Sequence, residues 1–176
     1  AYFNIESEAE LENLISLAVK TGRKTKAALR VNPDVDPGTH RHITTGVKET
    51  KFGVDIERAM KVFADYGRNE HVRLCAIHVH LGSGGKTIDP YVTAVRKILP
   101  VIDDLRGKGF VIEALDLGGG YGAEYETGSV PSPEDYARGL VPLLTGKNLK
   151  IILEPGKSIA ANAGILLTCV TFLKTG

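Results

Sequence analysis

The sequence predicts an α/β fold built on a parallel sheet, and three observations carry this. Short apolar runs alternate with helix-patterned segments four times, in units of roughly 30–40 residues, the spacing of βαβ units. Most of the 20 glycines fall just after apolar runs, where a chain turns from strand into helix. Three apolar runs end in polar or glycine-rich stretches: His78-Val79-His80-Leu81-Gly82-Ser83, Leu117-Gly118-Gly119-Gly120-Tyr121-Gly122 and Glu154-Pro155-Gly156-Lys157-Ser158. Parallel sheets hold ligands at such carboxyl strand ends.

Taken in order, Phe3 to Ile5 is a short strand. Ser7 and Glu10 form a capping box ahead of Leu11, Leu14, Ile15, Ala18 and Val19, which recur at helical spacing until Gly22. Lys26 to Asn32 is the second strand, stopped by Pro33. Asp34 to Phe52 has little periodicity, and a loop of that length in a compact domain is usually functional or disordered. Asp55 caps a helix through Tyr66 whose apolar side is Ile56, Ala59, Met60, Val62 and Phe63. Val72 to Val79 is the third strand. Asp89-Pro90 opens a helix with proline at its first position, and Pro100 should kink it. Val111 to Leu117 is the fourth strand. Ser132 and Asp135 form a second capping box for a helix to about Leu144. Leu149 to Leu153 is the fifth strand, and Ile165 to Leu173, rich in Val, Leu and Thr, reads as one more without a helix before it. Right-handed crossovers put all the helices on one side if the sheet curls, as in a (β/α)8 barrel. Five strands cannot close one, so the expected architecture is a partial barrel over residues 1–163. Residues 164–176 would lead into a β-rich domain. Open sheet edges favour self-association.

Composition narrows the function. The net charge of +1 and the few aromatics give no footprint for nucleic acid or an anionic membrane. No apolar run approaches the ~20 residues of a membrane span. Cys75 and Cys169 each lie in an apolar run with no CxxC, which reads as two reduced core thiols in a cytoplasmic protein. The chain opens and closes abruptly beside strands, as a piece of a longer protein would.

Four groups could do chemistry. Gly118, Gly119, Gly120 and Gly122 crowd one turn, where backbone N–H groups can close on a phosphate; a purely structural turn is the alternative. The stretch fits GxGxxA on paper, but it does not sit in a first βαβ unit. Gly156-Lys157-Ser158 resembles the tail of a P-loop, yet Ile151 stands where the leading glycine belongs. His78 and His80, two apart on a strand, share a face. They could be core residues, could hold a metal as in a barrel hydrolase, or could place His80 flat beside a phosphate-binding Ser83. Glu154 ends an apolar strand, where a carboxylate needs a cationic partner such as Arg30 or a protonated ring nitrogen.

Several motifs together resemble diaminopimelate decarboxylase. They are Arg30-Val31-Asn32-Pro33-Asp34-Val35-Asp36, Thr39-His40, Thr45-Gly46, Lys51-Phe52-Gly53, His78 to Ser83, Leu115 to Gly120 and Glu154 to Ile159. Ornithine and arginine decarboxylases share the His and Glu motifs. The resemblance implies an alanine-racemase-type barrel with pyridoxal 5′-phosphate, decarboxylation of meso-diaminopimelate to lysine, and a homodimeric parent enzyme. It implies that His80 stacks on the pyridine ring and that Ser83, Gly119 and Gly120 bind the phosphate. Glu154 would keep the ring nitrogen protonated, an electron sink for the carbanion left by CO₂. Pro155, Gly156 and Lys157 would complete the cofactor loop, with Lys157 also toward a substrate carboxylate. No metal is implied. The family usually has Arg at Lys157, whose bidentate fork Lys cannot copy, and Gln where Gly84 stands. Its Schiff-base lysine would precede residue 1 and its Cys-Glu pair would follow residue 176. Lys26 sits at the wrong strand end to replace that lysine, and Lys86 and Lys157 near the rim are weak substitutes. The chain alone is therefore expected to be inactive.

Overall fold

The computed structural model describes residues 2–36, 52–83, 85–123 and 130–175. The elements run β1 (Phe3–Ile5), α1 (Glu8–Thr21), β2 (Thr25–Arg30), α2 (Ile56–Tyr66), β3 (Val72–His78), α3 (Asp89–Gly107), β4 (Ala114–Asp116), α4 (Pro133–Leu144), β5 (Lys150–Ile152) and α5 (Lys157–Ala160). The strands lie in sequence order, β1-β2-β3-β4-β5, and every neighbouring pair is parallel. A doubly wound sheet reverses its order at a switch point. This one does not reverse, so right-handed crossovers leave α1 to α4 on one face. The result is part of a (β/α)8 barrel.

The local signals act where the sequence places them. The Ser7 hydroxyl accepts from the Glu10 N–H at 3.3 Å, while the Glu10 carboxylate reaches one residue further back, accepting from the Glu6 N–H at 2.6 Å. Asp55 accepts from the Arg58 N–H at 2.7 Å. Ser132 and Asp135 complete the reciprocal box at α4. Pro90 lies in the first turn of α3, and the helix continues through Pro100. The loop expected over Asp34 to Phe52 lies mostly outside the described residues.

Three expectations are corrected. Cys75 is buried in the core, but Cys169 is exposed, because the segment that carries it packs against none of the described elements. The fourth strand is shorter than expected, Ala114–Asp116, although Glu113 just before it already bonds to both neighbours, its N–H donating to the Cys75 carbonyl at 2.8 Å and its carbonyl accepting from the Lys150 N–H at 2.9 Å. Residues Ile165 to Leu173 form no strand among the described residues, and Ile165, Leu166, Leu167, Phe172 and Leu173 are each at least 91% exposed. A strand without a neighbouring ladder has nothing to fix it.

Strand alternation separates two faces. Outward residues Leu29, Ile77 and Leu115 pack under Leu11, Phe63, Ile98, Ile102 and Leu105 of the helices, all nearly inaccessible. Each such side chain stabilises the fold by roughly 1.5–3 kcal/mol. Inward residues Ala28, Ala76 and Ala114 make a second small core with Tyr2 and Ile152. A bulge between Ala27 and Ala28, opposite Cys75, keeps that inward set aligned on β3. Polar groups flank it at both ends. At the amino end, Glu113 Oε1 accepts from the Tyr2 hydroxyl at 2.6 Å and from Lys26 Nζ at 2.5 Å, and its other oxygen pairs with Arg73. Hydrogen bonds from Lys26 and Tyr2 hold the Glu113 carboxyl down at about 2. The carboxyl end is different in character.

Candidate functional site

Parallel register sets Arg30, His78 and Asp116 side by side across β2, β3 and β4. Two residues beyond His78 is His80, and two residues beyond Ile152 is Glu154, so alternation turns both to the same inner face. Asn4 of β1 completes the arc: its Nδ2 donates to Glu154 Oε1 at 3.0 Å and lies 3.5 Å from Asp116 Oδ2. One ligating atom from each of His78, His80 and Glu154 lies within 4.8 Å of the others. The three strand ends singled out in the sequence therefore meet at one rim.

The loops interlock through their glycines. The Glu154 N–H donates to the Gly118 carbonyl at 2.9 Å, and the Gly119 N–H donates to His80 Nδ1 at 3.1 Å. A Cβ on Gly119 would lie 2.3 Å from the Glu154 carbonyl oxygen. Gly120, at φ +92°, presses on the loop that carries Ser83: a Cβ there would lie 1.8 Å from the Gly82 carbonyl oxygen, and the Gly85 N–H donates to the Gly120 carbonyl at 2.9 Å. Only a residue without a side chain fits either position. Behind the turn, the Tyr91 hydroxyl donates to the Gly119 carbonyl at 3.2 Å, and Tyr91 packs with Tyr121 and Tyr136 in a buried cluster with centroids 4.9–5.4 Å apart. The glycines thus bring three loops into contact, and the Gly119 amide already holds His80. Ser83 is half-buried, and Pro155, Gly156 and Lys157 are exposed beyond Glu154, with Gly156 capping α5.

Charges at the rim are unevenly matched. Arg30 is spent elsewhere: it pairs with Glu6 at 2.6 Å and donates to the His80 carbonyl at 3.3 Å. The expected Arg30–Glu154 pair is not formed, because Glu6, at the end of β1, takes the guanidinium. Glu154 Oε2 faces His78 Nε2 at 3.8 Å, too far for a hydrogen bond. Burial, then the positive charge of Arg30, pulls the His78 imidazole down to about 4 against the partial compensation of Asp116, so it is neutral at pH 7. Neither ring nitrogen of this buried residue has a hydrogen-bond partner among the described residues. Burial and Arg30 also lower His80. The Glu154 carboxyl is pushed up, first by burial and then by the charge and hydrogen bond of Asp116, with Asn4 and Arg30 pulling the other way. The rim is a carboxyl-rich pocket beside two neutral imidazoles.

Two histidines and a carboxylate are the donor types a transition metal takes. The hydrogen bonding opposes it. His80 Nδ1 accepts from Gly119, so in the neutral ring the proton sits on Nε2. A ligating histidine instead donates from its second nitrogen. Asn4 and Asp116 were not singled out from the sequence. Their signal was there: each is a polar residue at an inward position of an apolar strand, in phase with His78 and Glu154.

Residues 1–161 match the family described as pyridoxal-dependent decarboxylase, pyridoxal binding domain. The chain is 48% identical over 173 residues to diaminopimelate decarboxylase of Aquifex aeolicus, covering 98% of this chain and 41% of that protein. It is 44% identical over 172 residues to the Pseudomonas aeruginosa protein of the same name, with the same coverage. Among solved structures, diaminopimelate decarboxylase from Helicobacter pylori complexed with L-lysine superposes with a TM-score of 0.86 at 35% identity, over 90% of this chain and 40% of that one. The chain thus spans about two-fifths of the length of the relatives it matches. Parallel strand order, converging rim and sequence identity agree: this chain belongs to the pyridoxal-dependent decarboxylases and carries their pyridoxal-binding domain.

Proposed function

We propose that the chain is the cofactor-holding part of a diaminopimelate decarboxylase, a carboxy-lyase that converts meso-diaminopimelate to L-lysine with pyridoxal 5′-phosphate. The observation that carries this reading is the meeting of His80, the glycine turn and Glu154 at one rim, together with the identity to relatives of that name.

The residues present suit the cofactor. A protonated pyridine nitrogen needs a carboxylate, and among the described residues Glu154 faces no charged cation at hydrogen-bonding distance. A flat ring needs a flat neighbour, and the Gly119 amide fixes the His80 imidazole. An anionic phosphate needs donors, and Ser83 with the Gly120 backbone lies on the loop pair beside His80, with Gly156 and Lys157 beyond Glu154. When bound, the cofactor supplies an electron sink for the carbanion left as CO₂ departs. This chain's residues do the rest of their share by holding: Glu154 keeps a proton at the ring nitrogen, His80 fixes the ring plane, and the interlocked loops set the rim. Lys157, exposed beyond Glu154, would offer a point charge to a phosphate or substrate carboxylate. Residues 164–176 lead into a β domain, and the intact enzyme works as a homodimer in the cytoplasm. No helix among the described residues is long and apolar enough to cross a membrane.

The test uses the intact protein stripped of cofactor. Adding pyridoxal 5′-phosphate should give a bound chromophore and lysine from meso-diaminopimelate, with ornithine and arginine far poorer. Glu154→Gln should lower kcat by roughly 100-fold, the scale of losing one charge-stabilising group at a reacting centre. Activity only with added zinc, without pyridoxal phosphate, would replace this reading by the metal one.

A further inference from the structure

Tyr91, in the first turn of α3, is 3% exposed and lies under the contact between the two loops that carry Ser83 and Gly120. Its hydroxyl donates to the Gly119 carbonyl at 3.2 Å, inside the protein. A Cβ on Gly85 would lie 3.2 Å from the Tyr91 ring, and one on Gly120 would lie 2.9 Å from its hydroxyl. The ring is itself held, stacked on Tyr121 at 5.4 Å and meeting Tyr136 edge-on at 5.2 Å. Its hydrogen bond fixes more than one carbonyl. The described backbone has no cis peptide bond, and a trans peptide points its C=O and its N–H in opposite directions. Holding the Gly119 oxygen toward Tyr91 therefore turns the Gly120 N–H away from Tyr91. The next peptide is held as well, because the Gly120 carbonyl accepts from the Gly85 N–H at 2.9 Å. Gly82, Gly85, Gly118 and Gly119 are buried, whereas Ser83 and Gly120 are only half-buried. Among the described residues no acceptor takes the Gly120 N–H.

We infer that Tyr91 is a positioning residue for the phosphate end of the cofactor: through the Gly119–Gly120 peptide, its hydroxyl aims the Gly120 N–H at the anion that Ser83 also meets. This rests on the proposed function, which supplies the phosphate. Tyr91 touches no ligand. It acts from behind the turn and sets the rotation of one peptide. A run of glycines has many backbone conformations open to it, and an amide already aimed spares binding the cost of ordering them. The aromatic packing supports the loops, and the hydroxyl alone sets the direction of the amide.

The test compares pyridoxal 5′-phosphate with pyridoxal, which has the same ring and no phosphate. Each is titrated onto the intact protein stripped of cofactor, as wild type, Tyr91→Phe and Tyr136→Phe. Tyr91→Phe keeps the ring and removes only the hydroxyl. Tyr136→Phe removes a hydroxyl of the same cluster that has no hydrogen-bond partner among the described residues. A hydrogen bond to a charged group is worth roughly ten- to hundredfold in affinity. Tyr91→Phe leaves the amide but frees its direction, so the Kd for pyridoxal 5′-phosphate should rise about tenfold while that for pyridoxal stays within about twofold. Tyr136→Phe should move neither. The ratio of the two Kd values is the deciding readout, because a loosened fold weakens both ligands alike. Equal weakening of both ligands in Tyr91→Phe, no weakening of either, or the same phosphate-specific loss in Tyr136→Phe would overturn the inference. Failure of the wild type to bind pyridoxal 5′-phosphate at all would instead sink the functional reading, and this inference with it.

Discussion

Replacing Gly120 by alanine should cost far more than the same change at Gly22, although both glycines lie in the left-handed region. Gly22 caps α1 at φ +64°, and a Cβ there would meet nothing within 4 Å. Its loss is backbone strain alone, about 1–2 kcal/mol. Gly120, at φ +92°, carries the same strain, but its Cβ would lie 1.8 Å from the Gly82 carbonyl oxygen and 2.9 Å from the Tyr91 hydroxyl. The near side is backbone and cannot rotate away. Forcing the loops apart adds overpacking of about 1–3 kcal/mol. It also loosens the Gly85–Gly120 hydrogen bond, worth about 1 kcal/mol. The sum for Gly120→Ala is about 3–6 kcal/mol, against a typical domain stability of about 5–15 kcal/mol. Urea unfolding of the intact protein, followed by far-ultraviolet circular dichroism, would read both variants as midpoint shifts at unchanged slope. Because Gly119 next door holds His80, Gly120→Ala should also weaken pyridoxal 5′-phosphate binding by more than roughly tenfold, or 1.4 kcal/mol. Gly22→Ala should leave binding unchanged. Equal stability losses at the two sites would refute the idea that the glycine turn is a point of contact between loops.

Two pH predictions follow from the inner face. The folded Glu113 carboxyl sits at about 2, below its ordinary 4.5. Its contribution is therefore complete above pH 4.5 and drains away as pH falls toward 2. Glu113→Gln should lower Tm above that window and not below it. The difference should be only about 1 kcal/mol, since Lys26 and Arg73 are half-exposed. The buried His78 titrates at about 4 in place of 6.5, so the stability of its neutral form is lost as pH falls from 6.5 through 4. A nuclear magnetic resonance titration of its ring protons should find a midpoint near 4; a midpoint at or above 6.5 would show that burial does not control this residue.

Much of the fold was legible because its signals are local. Ser7, Asp55 and Ser132 mark helix starts by the hydrogen bonds their side chains can make to nearby amides, and those contacts span only a few residues. Alternation along β3 already put His78 and His80 on one face, whereas only the β3–β4 register set Asp116 beside them. Ile165 to Leu173 misled because β-branched composition permits a strand, whereas a strand also needs an edge to pair with. Arg30 misled similarly: the sequence shows a cation that Glu154 could use, but not that Glu6 lies nearer.

By itself the sequence determined the strand–helix alternation, the family motifs and which residues could carry charge at a strand end, because each depends on spacing along the chain. The tertiary structure decided the rest. Unbroken strand order brought residues 4, 30, 80, 116, 119 and 154 onto one rim, and only there do burial and neighbouring charge act. A carboxyl group's proton affinity depends on distances through space. That is why Glu154 was visible as a residue in the sequence, while its hydrogen bond from Asn4 emerged only when the sheet curved.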